Sequence, residues 1–128
     1  MQVTAAPFAI PGRRETALAI VVKLTQPAPV GVDRAVETVR VLVNAYDMGG
    51  TRRGSERMDG RVVLRPTPAG QATYEVLSRL DLEPGRYQLR LAAESSLQQK
   101  SGSVFYDIDV PDFSKSALSL SGLVVSVA

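Results

Sequence analysis

From Val36 to Asp47 the chain alternates apolar and polar residues. Val39, Val41 and Val43 share one parity, and Thr38, Arg40 and Asn44 share the other. Successive side chains of a β-strand point to opposite faces, whereas a helix repeats every ~3.6 residues, so this segment suits a half-buried strand. The same pattern recurs. Thr16 to Thr25 puts Leu18, Ile20, Val22 and Leu24 on one face and Lys23 on the other. Arg86 to Ala93 aligns Tyr87, Leu89, Leu91 and Ala93. Ser103 to Val110 sends Val104, Tyr106, Ile108 and Val110 inward, and Phe105, Asp107 and Asp109 outward. In Ala72 to Leu82, Tyr74, Val76, Leu80 and Leu82 agree while Leu77 is out of phase. That departure predicts a bulge, and a helix over Tyr74 to Leu82 is the rival reading.

Proline, glycine and aspartate punctuate these runs. Ala6 to Ile10 reads as a short edge strand, because Pro7 and Pro11 lack the N–H that a central ladder needs. Met48 to Gly60, with four glycines among charged residues, reads as a long loop or frayed hairpin tip, followed by a short strand holding Val62 and Leu64. Glu83-Pro84-Gly85 is a turn, and Ser95 to Gly102 a polar hairpin loop. Residues 111–128 form a tail with a bend and a last apolar strand, Leu118 to Val127. The sum is seven to nine short strands over 128 residues, a single all-β domain. The expected fold is an antiparallel immunoglobulin- or fibronectin III-like β-sandwich. No apolar run is long enough to span a membrane as a helix. Met1-Gln2-Val3-Thr4 does not read as a secretory leader, and the abrupt opening suggests a domain cut from a longer chain.

Composition narrows the chemistry. Cysteine and histidine are both absent, which removes disulfide frameworks, thiolate zinc sites, cysteine nucleophiles and the commonest general base. A serine nucleophile would need a lysine base, and the only lysines are Lys23, Lys100 and Lys115. Glycosidase chemistry would need a cleft with aromatic platforms, and the chain has no Trp. The reading is therefore non-catalytic, with no cofactor. A net charge of +2 and few aromatics argue against nucleic acid.

Three constellations remain. Tyr87, just after Pro84-Gly85, occupies the place of a tyrosine corner, in which the phenol bonds to backbone a few residues upstream. Arg52, Arg53 and Arg57 cluster in the expected loop and suggest a docking patch for an acidic partner or anionic polymer. Asp107, Asp109 and Asp112 place carboxylates at close spacing and are calcium candidates, although one strand cannot supply a full ligand set.

The stretches Asp81 to Arg90, Gly102 to Asp107, Val110-Pro111-Asp112-Phe113-Ser114-Lys115 and Leu118-Ser119-Leu120-Ser121-Gly122-Leu123-Val124 resemble the C-terminal part of acidobacterial von Willebrand factor type A-related proteins. The resemblance implies an exported or envelope-associated, non-catalytic β-rich module beside an adhesion domain. The expected function is an accessory domain that docks a protein partner or neighbouring domain. The alternatives are a carbohydrate- or polymer-binding module, with Phe105 or Tyr46 offering a ring, and a self-assembly unit that exchanges its last strand to form a dimer.

Overall fold

A computed structural model describes residues 1–113. Seven strands follow one another: β1 (Gln2–Ala9), β2 (Thr16–Pro27), β3 (Ala35–Asp47), β4 (Arg52–Leu64), β5 (Gln71–Leu82), β6 (Gly85–Ser95) and β7 (Lys100–Val110). They form a three-stranded sheet ordered β1-β2-β5 and a four-stranded sheet ordered β4-β3-β6-β7, with every pairing antiparallel. In an immunoglobulin constant domain the fourth strand completes the sheet of the first, second and fifth strands. Here it pairs with β3 instead, which is the fibronectin III-like arrangement. Among the described residues, no helix is long and apolar enough to cross a membrane.

The inward parity of each strand supplies the core. Leu18, Ile20 and Val22 of β2 meet Val39, Val41 and Val43 of β3, with Leu80 and Leu82 of β5 and Leu89 and Leu91 of β6 around them. All ten are at most 5% exposed. Burying each such side chain stabilises the fold by about 1.5–3 kcal/mol before conformational entropy is counted. Three strands, β2, β3 and β6, are flanked on both sides, and of these β3 and β6 alternate regularly between buried and more exposed positions.

Several expected boundaries move. β1 begins at Gln2 and not Ala6, although it is an edge strand. The register of β5 on β2 runs unbroken from Gln71 to Leu82, so there is no bulge at Leu77 and no helix. Leu77 is simply outward-facing, and 61% exposed. The irregularity lies between β3 and β4, where Ala45 pairs with Gly54 but Tyr46 pairs with Arg52.

The largest correction concerns Met48 to Gly60. Only Met48–Thr51 turns the chain, and thirteen residues from Arg52 to Leu64 form β4 along β3. An edge strand with a solvated outer face needs few apolar residues, so charge along it is no obstacle to pairing. Gly50, at φ +83°, takes the left-handed corner. Asp47 fixes the turn: its Oδ1 accepts from the N–H groups of Gly49 and Thr51 at 3.0 Å. The polar hairpin expected over Ser95–Gly102 is likewise shorter, with β7 starting at Lys100. The last strand expected over Leu118–Val127 lies outside the described residues.

Candidate interaction surface

The outer face of the four-stranded sheet gathers polar, basic and aromatic residues through register alone. Tyr46 on β3 stands opposite Gln88 on β6, Asn44 opposite Arg90, and Arg90 opposite Phe105 on β7. The Arg90 guanidinium consequently lies 4.4 Å from the Tyr46 ring centroid and 5.4 Å from that of Phe105. Its Nε donates to Gln88 Oε1 at 2.9 Å. Guanidinium groups over ring faces are attracted by the ring quadrupole, and the stack holds a long side chain in one place. Arg90 forms no ion pair among the described residues, which leaves its terminal nitrogens able to donate. Phe105 is 64% exposed and Leu42 37%, so the same face presents apolar area beside the charge.

The three arginines of the expected loop are placed by β4, and they do not form one cluster. Arg52 stands opposite Tyr46 and Arg57 opposite Leu42, both on the outer face. Arg53 falls in the irregular step and its Nε donates to Asp47 Oδ2 at 2.6 Å. That bond and the turn N–H groups hold the Asp47 carboxyl below its usual range. Arg57 is 3.3 Å from Asp59, whose other oxygen accepts from Arg40 at 3.1 Å. The Arg40 hydrogen bond, aided by Arg57, pulls Asp59 downward as well.

The carboxylates Asp107 and Asp109 alternate on the outer parity of β7, with Asp109 3.6 Å from Arg86. No group of three or more acidic residues that could hold a metal ion occurs among the described residues, so Asp107, Asp109 and Asp112 do not converge. Between the β3–β4 turn and this end of the sheet lies a hollow of about 480 Å³, lined by Tyr46, Gly50, Arg86, Gln88, Arg90 and Asp107.

Tyr87 faces the core, 6% exposed, and its hydroxyl donates to the Glu83 carbonyl at 2.6 Å across the Pro84-Gly85 turn. Gly85 takes φ +153°, and a Cβ there would stand 3.7 Å from the Tyr87 ring. Burial, with help from the Glu83 charge, raises the Tyr87 phenol above its ordinary value. Its position is that of a strut between the sheets.

One functional group was missed by the sequence reading. Glu37 is fully buried at the far end of the sandwich. Its Oε2 accepts from Gln26 Nε2 and Ser95 Oγ, each at 2.6 Å. Its Oε1 accepts from Ser96 Oγ at 2.8 Å and from the N–H groups of Ser96 and Leu97 at 2.9 and 3.2 Å. Burial pushes this carboxyl upward, but the hydrogen bonds from Ser95, Gln26, Ser96 and Leu97 outweigh it and hold the group below 4.5. Tyr74 extends the network by donating to Gln26 Oε1 at 2.8 Å, and burial with the Glu37 charge pushes its phenol up to about 12. The signal was available, because Glu37 has the parity of Val39, Val41 and Val43 and therefore had to face inward.

No protein-family model matches the chain, and no curated protein matches it either. Among solved structures, one titled "Putative ApaA Protein from Bordetella pertussis" aligns with a TM-score of 0.51 over 86% of this chain and 93% of that one, at 14% identity. The likeness is one of fold. A second, titled "putative beta-galactosidase from bacteroides fragilis", aligns at TM-score 0.48 and 17% identity over 84% of this chain but 16% of that one, and no argument rests on it. None of these findings connects the chain with von Willebrand factor type A-related proteins.

Proposed function

We propose that this is a non-catalytic interaction domain that docks a protein partner, or a neighbouring domain of its own polypeptide, on the outer face of the β4-β3-β6-β7 sheet. The Tyr46–Arg90–Phe105 stack carries the reading. Protein interfaces concentrate aromatic residues and arginine at an apolar centre within a polar rim. Tyr46, Arg90 and Phe105 provide such a centre, with Leu42 exposed further along β3, and Arg40, Arg57 and Asp59 such a rim. A rigid sheet also presents these side chains with little entropy left to lose on binding. The setting this reading adopts is the exported or envelope-associated chain that the resemblance of residues 81–124 implies.

A displayed library of random peptides, selected on the whole chain, tests the proposal. Selected peptides are expected to lose at least tenfold in affinity when Phe105→Asp or Arg90→Ser is introduced, while both variants keep their far-UV spectrum. Peptides that bind both variants as well as the original would contradict it. The hollow beside the stack favours one second reading. A ring, an amide, a guanidinium and a carboxylate around about 480 Å³ could hold a sugar unit of a polymer, and retardation in polysaccharide affinity gels would support that instead.

A further inference from the structure

We infer that two copies of this chain associate through β5, edge to edge and antiparallel about a two-fold axis at Leu77, joining their three-stranded sheets into one six-stranded sheet. The inference concerns the other sheet from the one proposed for partner docking, and it leaves the Tyr46–Arg90–Phe105 face uncovered.

Among the described residues the two sheets expose four edges: β1, β5, β4 and β7. Three of them carry features that discourage pairing. Pro7 removes a donor from β1. β4 has the irregular step at Arg53 and two interior glycines, Gly54 and Gly60. β7 projects Asp107 and Asp109 and has Gly102 near its start. β5 projects Glu75 and Asp81 as well, but with Arg79 between them, and its twelve residues hold no Gly, Pro or bulge and stay in unbroken register with β2. Leu77, a large apolar side chain 61% exposed, sits at its middle. Its free edge borders an open hollow of about 660 Å³ shared with β4, with no ladder between the two strands, and β4 comes close at the end of β5, where a Cβ at Gly54 would stand 3.0 Å from Leu82.

The outward sequence of β5 is self-complementary about Leu77. Reading Thr73, Glu75, Leu77, Arg79 and Asp81 against the same series reversed places Leu77 on Leu77, Glu75 on Arg79 twice, and Thr73 on Asp81 twice. A two-fold interface must match a surface to itself in this way. Neighbouring registers match less well. A two-fold at Ser78 opposes Glu75 to Asp81, one at Arg79 opposes Arg79 to itself, one at Glu75 opposes Glu75 to itself, and one at Val76 opposes no like charges but sets Leu77 against Glu75 twice. Directly opposite like charges are destabilising and opposite charges stabilising across a strand pair, so electrostatics and the exposed leucine select one register. Arg79 already bonds to Asp81 at 2.8 Å within the strand, and in the pair it would lie between two carboxylates.

The absence of cysteine makes the test clean. Opposed residues of an antiparallel pair have Cα atoms roughly 4.5–5.5 Å apart, within disulfide range. Leu77→Cys in the full chain is therefore expected to form a symmetric disulfide dimer under mild oxidation. Thr73→Cys alone should not, because its two copies would lie roughly 26 Å apart along the strands. Thr73→Cys mixed with Asp81→Cys should give the mixed dimer. Sedimentation of the unmodified chain should show a dimer that Leu77→Lys converts to folded monomer. A chain ending at residue 113 should still dimerise. Absence of the Leu77→Cys crosslink, a Thr73→Cys self-crosslink of equal rate, or loss of the dimer on removing residues 114–128 would each overturn the inference, the last in favour of exchange of that tail.

Discussion

At the residue scale, Glu37 is the sharpest example of a polar side chain kept in a core by satisfaction of its hydrogen bonds. Five donors converge on two oxygens, and two of them are backbone N–H groups of the β6–β7 turn, so the carboxylate anchors that hairpin to the start of β3. Because its folded pKa lies below the ordinary 4.5, its contribution is complete above that value and is lost as pH falls through the folded one. Glu37→Gln keeps the shape but offers two donors where acceptors are needed. It is expected to cost roughly 1–3 kcal/mol at neutral pH, and to flatten the loss of stability below pH 4.5. Urea titrations from pH 7 down to 3 read both. Equal acid sensitivity in the variant would assign that loss to Asp47 and Asp59, which are also held low. The parity that makes Glu37 a core position was legible in the sequence. What covers it was not, since Gln26, Ser95 and Ser96 arrive from strands eleven and about sixty residues away.

At the element scale, legibility followed position in the sheet. β2, β3 and β6 are central, and a buried face forces alternation into the sequence. The edge strand β7 showed it too, because its inward residues meet the same core. The first nine residues of β4, Arg52 to Gly60, were invisible for the opposite reason, and only the end holding Val62 and Leu64 read as strand. β4 is an edge strand whose inward positions are Gly54, Glu56, Met58, Gly60, Val62 and Leu64, and only Met58, Val62 and Leu64 among them carry apolar side chains. Leu77 misled in the same way, since an exposed apolar residue on an outer face looks like a break in phase. The Tyr46–Arg90–Phe105 stack depends on three strands coming into register, and nothing local in the sequence announces it. Hydrogen exchange separates a paired β4 from a loop. Amides of Arg52–Leu64 that point at β3 are expected to be protected and their neighbours to exchange quickly, in alternation. Uniformly fast exchange from Arg52 to Gly60 would return the segment to a loop.

At the scale of the whole molecule, the proposed docking face and the proposed self-association edge fall on different sheets. The four-stranded sheet turns a basic and aromatic face to solvent, and the three-stranded sheet ends in β5, an edge without Gly, Pro or bulge. Both follow from where β4 pairs. By joining β3 it broadens one face and leaves β5 without the neighbour that an immunoglobulin constant sheet would give it. The most direct test of partner docking is site-specific photocrosslinking in the cells that make the protein. A photoreactive side chain replaces Phe105 in one variant, and in a control replaces Lys23 on the outer face of the other sheet. The account expects one discrete polypeptide adduct from position 105, lost with Arg90→Ser, and none from position 23. Adducts of equal yield from both positions, or from neither, would contradict it.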